Sequence, residues 1–303
     1  MTASRMGFIV NPAAGAGRGH ARWEEFKLRF PPSNVEEKVV FTSRSGEAVR
    51  LAQELARECD VVVAVGGDGT FFEVASGILL AGSETVRMGL VPLGTGNDTA
   101  ILCGLGDTAL ARQALTRGQT RACDVIRIYC REAASGVTRY SLLYASVGII
   151  GEVLKRVTPR VKRVFGRRLA YPVGALRAIW KYRAPQMRVT CDGQSWEKRF
   201  LVLCASNAEL SGGGMRLAPD AKMDDGLLDV NLAETVSRRA AAVLIWRMSR
   251  GRRISHPRLR YFNARTVAVE ADPPIEVQAD GEIIGQTPAQ FEVMPRALRV
   301  LVP

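Results

Sequence analysis

Residues 61–70 read Val-Val-Val-Ala-Val-Gly-Gly-Asp-Gly-Thr, and a helical pattern of apolar residues resumes at Phe71. Five consecutive small or β-branched apolar residues suit a strand covered on both faces better than one half-exposed to water. Crossover helices provide that cover, so the run points to a parallel sheet. A tight turn needs one or two glycines; here three surround a single carboxylate. Glycine lets a backbone approach a ligand closely, at φ values other residues avoid. The stretch therefore predicts a strand, a loop facing something anionic or a metal ion, and a helix.

The first 125 residues repeat that unit. Gly7–Val10, Lys38–Thr42, Asp60–Val65 and Arg87–Leu93 read as strands. Helical spacing runs from His20 to about Phe30, over Gly46–Arg57, near Phe71–Ala81 and over Thr108–Thr116. Strands alternating with helices predict a βαβ series, and in such sheets ligands sit beyond the C-terminal strand ends. The loops 11–19, 66–70 and 94–98 all fall at such ends, and a helix start behind a glycine-rich loop offers free N–H groups suited to phosphate. There is no G-x-x-x-x-G-K-[ST], and no G-x-G-x-x-G followed by a ribose-binding acid.

After Asp124 the pattern changes to short strands between turns: Ile126–Tyr129, Tyr140–Ser146, Met187–Cys191, Arg199–Ser206, Leu227–Asn231, Thr266–Val269 and Glu276–Gln278. That predicts an antiparallel sandwich or barrel, interrupted by helices near Leu169–Tyr182 and Thr235–Ser249. Leu298–Val302 reads as a strand whose partner periodicity does not reveal. A length of 303 residues accommodates two domains.

Composition narrows the function. Six cysteines show no metal-ligand spacing, and only His20 and His256 are available for zinc or a Ser-His-Asp triad. The apolar run Ala240–Trp246 is far below the roughly 20 residues of a spanning helix, and Met1–Val10 enters a strand without a signal-peptide pattern. A cytoplasmic protein with reduced thiols is the expectation. Between Glu152 and Asp192 there are eleven Lys/Arg and no acid; between Glu234 and Glu270 there are nine Arg and no acid. The whole chain is only +12, so the remainder is net acidic and the positive charge is concentrated. Such faces suit an anionic membrane, a nucleic acid or a phosphorylated ligand.

Gly66-Gly67-Asp68-Gly69-Thr70 together with Gly94-Thr95-Gly96-Asn97-Asp98 resembles the diacylglycerol kinase catalytic-domain family: soluble bacterial lipid kinases and, more distantly, sphingosine and ceramide kinases. The resemblance extends over nearly the whole chain. Asn11-Pro12-Ala13-Ala14-Gly15 matches the family's opening loop, Thr42 its next strand end, and Glu73 its first helix. Asn207, Gly212-Gly213-Gly214-Met215, Ala218-Pro219-Asp220-Ala221, the run Lys222–Val230 and Asp280-Gly281-Glu282 follow in the family's order. One departure is Thr99-Ala100-Ile101, where the family usually has Phe-Ala-Arg.

The resemblance implies an α/β N-terminal domain similar to those of NAD kinase and phosphofructokinase, and a β-rich antiparallel C-terminal domain. The first would comprise residues 1–125 with about 292–303, the last strand returning to it; the second, 126–291, would bind the lipid. ATP would lie in a cleft, touching Asn11–Gly15, Thr42, Gly66–Glu73 and Gly94–Asn97. The γ-phosphate would pass to a lipid hydroxyl, diacylglycerol giving phosphatidic acid. Phosphoryl transfer needs charge neutralisation, alignment and a route for a proton. Asp68, Asp98 and Asp124 are expected around Mg2+, directly or through water, and Glu282 is expected as general base. Lys222, Asp225 and the Leu227 carbonyl resemble a second, structural Mg2+ site; from sequence alone Lys222 and Asp225 would form an i,i+3 salt bridge.

The basic stretches carry Phe165, Tyr171, Trp180 and Tyr182 in one case and Trp246 in the other, a mixture suited to peripheral docking on an anionic membrane. No nucleic-acid partner is expected, although single-strand binding would use similar ingredients; a homodimer is compatible with the sequence. Competing readings are a sphingoid-base or other lipid kinase, an NAD-kinase-like phosphotransferase, and a catalytically silent lipid- or nucleotide-binding regulator.

Overall fold

The computed structural model describes residues 5–30, 35–132, 135–156, 174, 178–211, 215–248 and 255–303. The chain divides into two compact units, Met1–Asp124 with Arg296–Pro303, and Val125–Pro295.

In the first unit, β1 (Arg5–Val10), β2 (Glu36–Phe41), β3 (Val61–Gly66) and β4 (Arg87–Pro92) form a parallel sheet in the order β2-β1-β3-β4. Every residue of β3 is buried, as its unbroken apolar sequence requires. The end of the last strand lies parallel to β4, Arg299 opposite Arg87 and Val300 opposite Met88. This supplies the partner that the sequence pattern of Leu298–Val302 does not show.

The helices of this unit are α1 (Ala14–Gly17), α2 (Gly19–Leu28), α3 (Glu47–Leu55), α4 (Asp68–Leu80), α5 (Asp98–Leu102) and α6 (Thr108–Arg117). Phe8 of β1 meets Trp23 of α2 at 5.2 Å between ring centres, and Trp23, Phe26 and Phe30 stack in series. α4 buries Phe71, Phe72, Val74, Ala75 and Ile78, so its apolar residues encircle it rather than forming one stripe. It begins at Asp68, three residues earlier than apolar spacing predicts, with Gly67 extended at its N-cap. Gly69 and Thr70 therefore belong to the first helical turn; the loop proper is Gly66–Gly67.

In the second unit the strands pair antiparallel. β7 (Tyr144–Gly148) lies between β9 (Gln194–Ser206) and β15 (Glu276–Ala279), and β12 (Leu228–Glu234) between β9 and β13 (Leu259–Ala264), while the short strands β10 (Leu210–Ser211) and β11 (Met215–Arg216) pair with each other. β8 (Gln186–Cys191) bridges β9 and β14 (Thr266–Asp272), while β5 (Thr120–Glu132) pairs with β6 (Ser135–Ser141). β16 (Glu282–Leu301) pairs with β14 and β15 before its last residues join the first unit. Ile126, Val147, Val189, Phe200, Leu203, Leu232, Val277 and Phe291 share one core. The expected fold class, a parallel α/β region followed by an antiparallel β-rich one, is the observed one.

Three local expectations are corrected. Tyr140–Ser146 is not one strand: β6 ends at Ser141 and β7 starts at Tyr144, because the Asp280 carboxylate takes the N–H groups of residues 142–144. Helix α7 (Ile149–Arg156) occupies a segment with no predicted element. The 20-residue β16 was visible only in its final residues. The second predicted helix is found at Arg238–Met248; most of the first lies outside the described residues, as do Phe165, Tyr171 and Gly212–Gly214. All six cysteines are buried free thiols. Among the described residues no helix is long and apolar enough to cross a membrane.

Candidate active site

The glycine loops of the first unit are tied to one another. Asn11, just after β1, receives a hydrogen bond from the Ala13 N–H on Oδ1 (3.0 Å) and donates from Nδ2 to Thr70 Oγ1 (3.0 Å). Its own N–H donates to the Val65 carbonyl (2.9 Å). Pro12 follows it, and Ala13 leads into a turn in which Gly15, Ala16 and Gly17 all have positive φ. Thr42, at the end of β2, is buried and donates its N–H to the Val10 carbonyl at 2.9 Å. Neighbouring strand ends are thus joined by one polar network.

Gly67 and Gly94 touch backbone to backbone. A Cβ on Gly94 would lie 2.4 Å from the Gly67 Cα, closer than any side chain allows, so only glycine permits the contact. The N–H groups of Leu93 and Gly94 both donate to the Gly66 carbonyl at 2.7 Å. Beyond this contact stands Asp68. Its Oδ2 accepts the Asn97 N–H (2.8 Å) and its Oδ1 the Thr99 N–H (3.0 Å). Asp68, in the first turn of α4, therefore caps the start of α5 across the loop. Asn97 is left-handed (φ 62), a conformation Asn adopts more readily than most residues, and its Nδ2 donates to the Gly94 carbonyl at 3.2 Å. Thr95 is exposed, and Gly96 and Asn97 are half-buried. The departure at Thr99-Ala100-Ile101 leaves this arrangement intact, since Asp68 uses the Thr99 backbone and Ile101 is 48% exposed.

Glu73, on the same helix, accepts from the N–H groups of Gly46 (2.9 Å) and Ala48 (3.1 Å). It caps α3 as Asp68 caps α5, so one helix carries two carboxylates that each hold the next element's start. Helix N-termini carry unsatisfied donors, which accounts for acids at these positions without any ligand.

The three expected metal carboxylates all belong to the first unit. Among the described residues no three His, Cys, Asp or Glu side chains form a group able to hold a metal. Asp68 is engaged by two amides. Asp98 is 3% exposed in the first turn of α5. Asp124 is fully buried, and its Oδ1 accepts the N–H of Arg296 (2.7 Å), which stands at positive φ where the last strand re-enters the first unit. The backbone geometry around Asp124 thus gives it an anchoring task.

In the second unit, Asp280 and Gly281 form a two-residue turn with φ 46 and 91, joining β15 to Glu282 at the start of β16. Two positive φ values match the hairpin turn for which Asp-Gly is preferred. The Asp280 carboxylate receives Ser141 Oγ (2.7 Å) and the N–H groups of Leu142 (2.8 Å), Leu143 and Tyr144 (both 3.0 Å). Burial nevertheless pushes its pKa up, with those four donors pulling against it. The sequence shows Asp280 only as part of the Asp280-Gly281-Glu282 motif, because its four partners are more than 130 positions away. Glu282 itself is exposed. Lys222 and Asp225 are both exposed, and no ion pair joins them; Asp225 Oδ1 accepts the N–H of Leu227 at 3.1 Å instead. The expected salt bridge is replaced by a local side-chain-to-backbone turn.

Residues 5–128 match the diacylglycerol kinase catalytic domain, and residues 145–302 match the YegS C-terminal NAD kinase beta sandwich-like domain. A diacylglycerol kinase of Bacillus subtilis (strain 168) is 27% identical over 99% of this chain and 96% of that protein. One from Staphylococcus haemolyticus (strain JCSC1435) is 26% identical over 97% and 87%. A crystal structure of a diacylglycerol kinase from Bacillus anthracis str. Sterne superimposes with a TM-score of 0.72 at 22% identity, covering 100% of this chain and 98% of that one. Yeast NADH kinase, complexed with NADH, superimposes with a TM-score of 0.56 at 10% identity, over 100% and 84%; both show a shared fold. Matched over residues 5–128 and 145–302 by these two domains and over nearly its whole length by the relatives named, the chain belongs to the diacylglycerol kinase catalytic-domain family.

Proposed function

We propose that the protein is an ATP-dependent lipid kinase whose acceptor is a lipid hydroxyl, diacylglycerol giving phosphatidic acid. The observation that carries this reading is the clasp of Asp68 on the Asn97 and Thr99 amides beside the Gly67–Gly94 contact. It presents two side-chain-free backbones at adjacent strand ends, the surface a triphosphate requires. In the first unit, Asn11–Gly15, Thr42, Gly66–Thr70 and Gly94–Asn97 bind and orient ATP; Glu73 acts on Thr42's neighbourhood by holding the start of α3.

Mg2+ uses one or two carboxylates together with substrate phosphates and retained waters. That modest demand fits residues that form no three-acid cluster. Asp68 is half-buried, and each of its oxygens has a second lone pair for a metal-bound water; Asp98, between the two residues whose amides hold Asp68, is a second acid. When bound, the ion would offset charge on the phosphates. Lys222, Asp225 and Leu227 remain a candidate for a second, structural cation.

In the reaction the lipid hydroxyl oxygen forms a bond to the γ-phosphorus, the bond to the bridging oxygen breaks, and ADP leaves with the electron pair. Glu282 takes the hydroxyl proton. Asp280 fixes the turn from which Glu282 projects.

Docking at an anionic membrane is supported by an exposed basic and aromatic surface. Trp180 is 61% exposed with the Arg238 guanidinium 5.0 Å from its ring centre, and Arg239, Val243 and Arg247 are exposed at four-residue intervals on one helix. Amphipathic faces of this kind suit a lipid interface.

The test is transfer from labelled ATP to a panel of diacylglycerol, monoacylglycerol, sphingoid base and phosphatidylglycerol in anionic vesicles, with NAD as a soluble arm. Labelled phosphatidic acid is the expected product. Labelling of NAD alone, or of nothing while ATP still binds, would overturn the reading in favour of a soluble phosphotransferase or a silent regulator.

A further inference from the structure

A cavity of about 350 Å3 in the first unit lies between α2, the start of α6 and the loop after β4. Its lining includes Arg22, Glu25 and Arg29 from α2, Arg112 from α6, and Gly94 and Asn97 from the loop. This volume is at the lower end of small-ligand pockets.

The charges around it are unevenly matched. Glu25 pairs with Arg29 at 3.1 Å. Asp107, also in the lining, accepts the N–H groups of Ala109 and Leu110 and so caps α6. Arg22 and Arg112 are different. Both are half-buried, and among the described residues neither forms an ion pair. Arg22 Nη1 donates to the Leu93 carbonyl at 3.0 Å, and the Arg112 guanidinium lies 5.7 Å from the Phe26 ring centre. These contacts hold each group in place without neutralising it. An unneutralised charge removed from water is costly, and two guanidiniums fixed on separate helices present planar donor forks that match phosphate oxygens.

We propose that this cavity is a binding site for a phosphate-bearing anion, recognised by the Arg22 and Arg112 side chains next to Gly94 and Asn97; only its coupling to the nucleotide rests on the reading proposed above. The site is wired to those loops. Arg22 holds the carbonyl of Leu93, the residue before Gly94, and the same loop continues to the Asn97 and Thr99 amides that hold Asp68. A Cβ on Gly15 would meet Leu93 O at 2.6 Å and Arg22 Nη1 at 3.0 Å, so the first loop closes on the same guanidinium. An anion that engages Arg22 therefore acts on two nucleotide-facing loops at once. Binding at one site then changes affinity at the other, and reciprocally.

Phosphate chemistry can come from a free anion or from a lipid headgroup, and the arms of the experiment separate these. Inorganic phosphate and diphosphate are titrated calorimetrically at low salt into the full chain and into Arg112→Gln; the guanidinium it removes packs on Phe26 of α2. The expected result is a binding event weakened about tenfold or more by the substitution, the scale of a lost charge-assisted contact, with affinity for a non-hydrolysable ATP analogue unchanged when no phosphate is added. Arg112→Lys keeps the charge but not the fork and should fall between them; matched melting temperatures show that the variants fold. In the second arm, vesicles of phosphatidylcholine with and without phosphatidic acid are sedimented with both proteins. Association needing phosphatidic acid and Arg112 identifies the headgroup as the source; Arg112-dependent phosphate binding without it identifies a soluble anion. Equal phosphate affinity in wild type and Arg112→Gln, or none in either, overturns the proposal. None of these measurements uses turnover, so a chain that binds phosphate through Arg112 yet phosphorylates no lipid sinks the kinase reading and leaves this one standing.

Discussion

Asp280→Asn isolates the anchor of the turn that carries the proposed base, Glu282. Asp280 sits at φ 46, which Asn tolerates, so the backbone is left unstrained. Oδ1 accepts three of the four donors, Ser141 Oγ and the N–H groups of Leu143 and Tyr144, while Oδ2 accepts Leu142. An Asn would keep its oxygen on the three and turn its NH2 toward the Leu142 N–H, so one acceptor is lost and two donors face each other. A lost charge-assisted bond costs about 1–3 kcal/mol; because three of the four donors keep their acceptor, the lower part, about 1–2 kcal/mol, applies. In a unit of this size that lowers the melting temperature by roughly 2–8 °C. Hydrogen exchange at the Leu142 amide should accelerate, and turnover should fall about tenfold with ATP affinity unchanged, because only the turn before Glu282 is loosened. A variant that melts with the wild type and exchanges Leu142 at the same rate would refute the anchoring argument.

Glu282→Gln should retain ATP affinity and fold stability while losing about 10²–10⁴ of kcat; a wild-type kcat would require another base. Gly94→Ala places a methyl 2.4 Å from the Gly67 Cα, so it should destabilise by about 1–3 kcal/mol and abolish nucleotide binding in calorimetry, whereas Gly82→Ala, with open space around its Cβ but a left-handed φ of 68, should cost some stability at its own turn and leave binding intact. Asp68→Asn removes one of two amide acceptors; turnover should drop at least about tenfold, and excess Mg2+ should not restore it if the clasp is what matters. Burial raises the Asp280 pKa in the folded state, so folding takes up a proton there; stability should fall as pH rises from ~4 through the folded group's titration. Asp280→Asn should flatten that part of the denaturation-versus-pH curve.

The unbroken apolar run of β3 and the glycines after it were enough to anticipate a parallel sheet and ligand-facing loops, because burial on two faces leaves no room for polar alternation. The antiparallel character of the second unit was equally plain in its short alternating strands. The roles of single acids were not. Asp68 and Glu73 look like ligands in a motif, yet each satisfies the donors at another helix's start, and those helices begin 25 to 31 residues away. Asp124, expected beside Mg2+ from its place in the pattern, also holds Arg296 across 172 positions.

What the sequence determined alone was local: which segments bury two faces, where backbone without side chains is needed, and that the chain resembles a kinase family. Tertiary structure decided which donor each carboxylate meets and, among the described residues, that Arg22 and Arg112 form no ion pair. Hydrogen bonds and charge pairs depend on distances of a few ångströms between residues far apart in the chain, and periodicity along the chain carries no record of those distances.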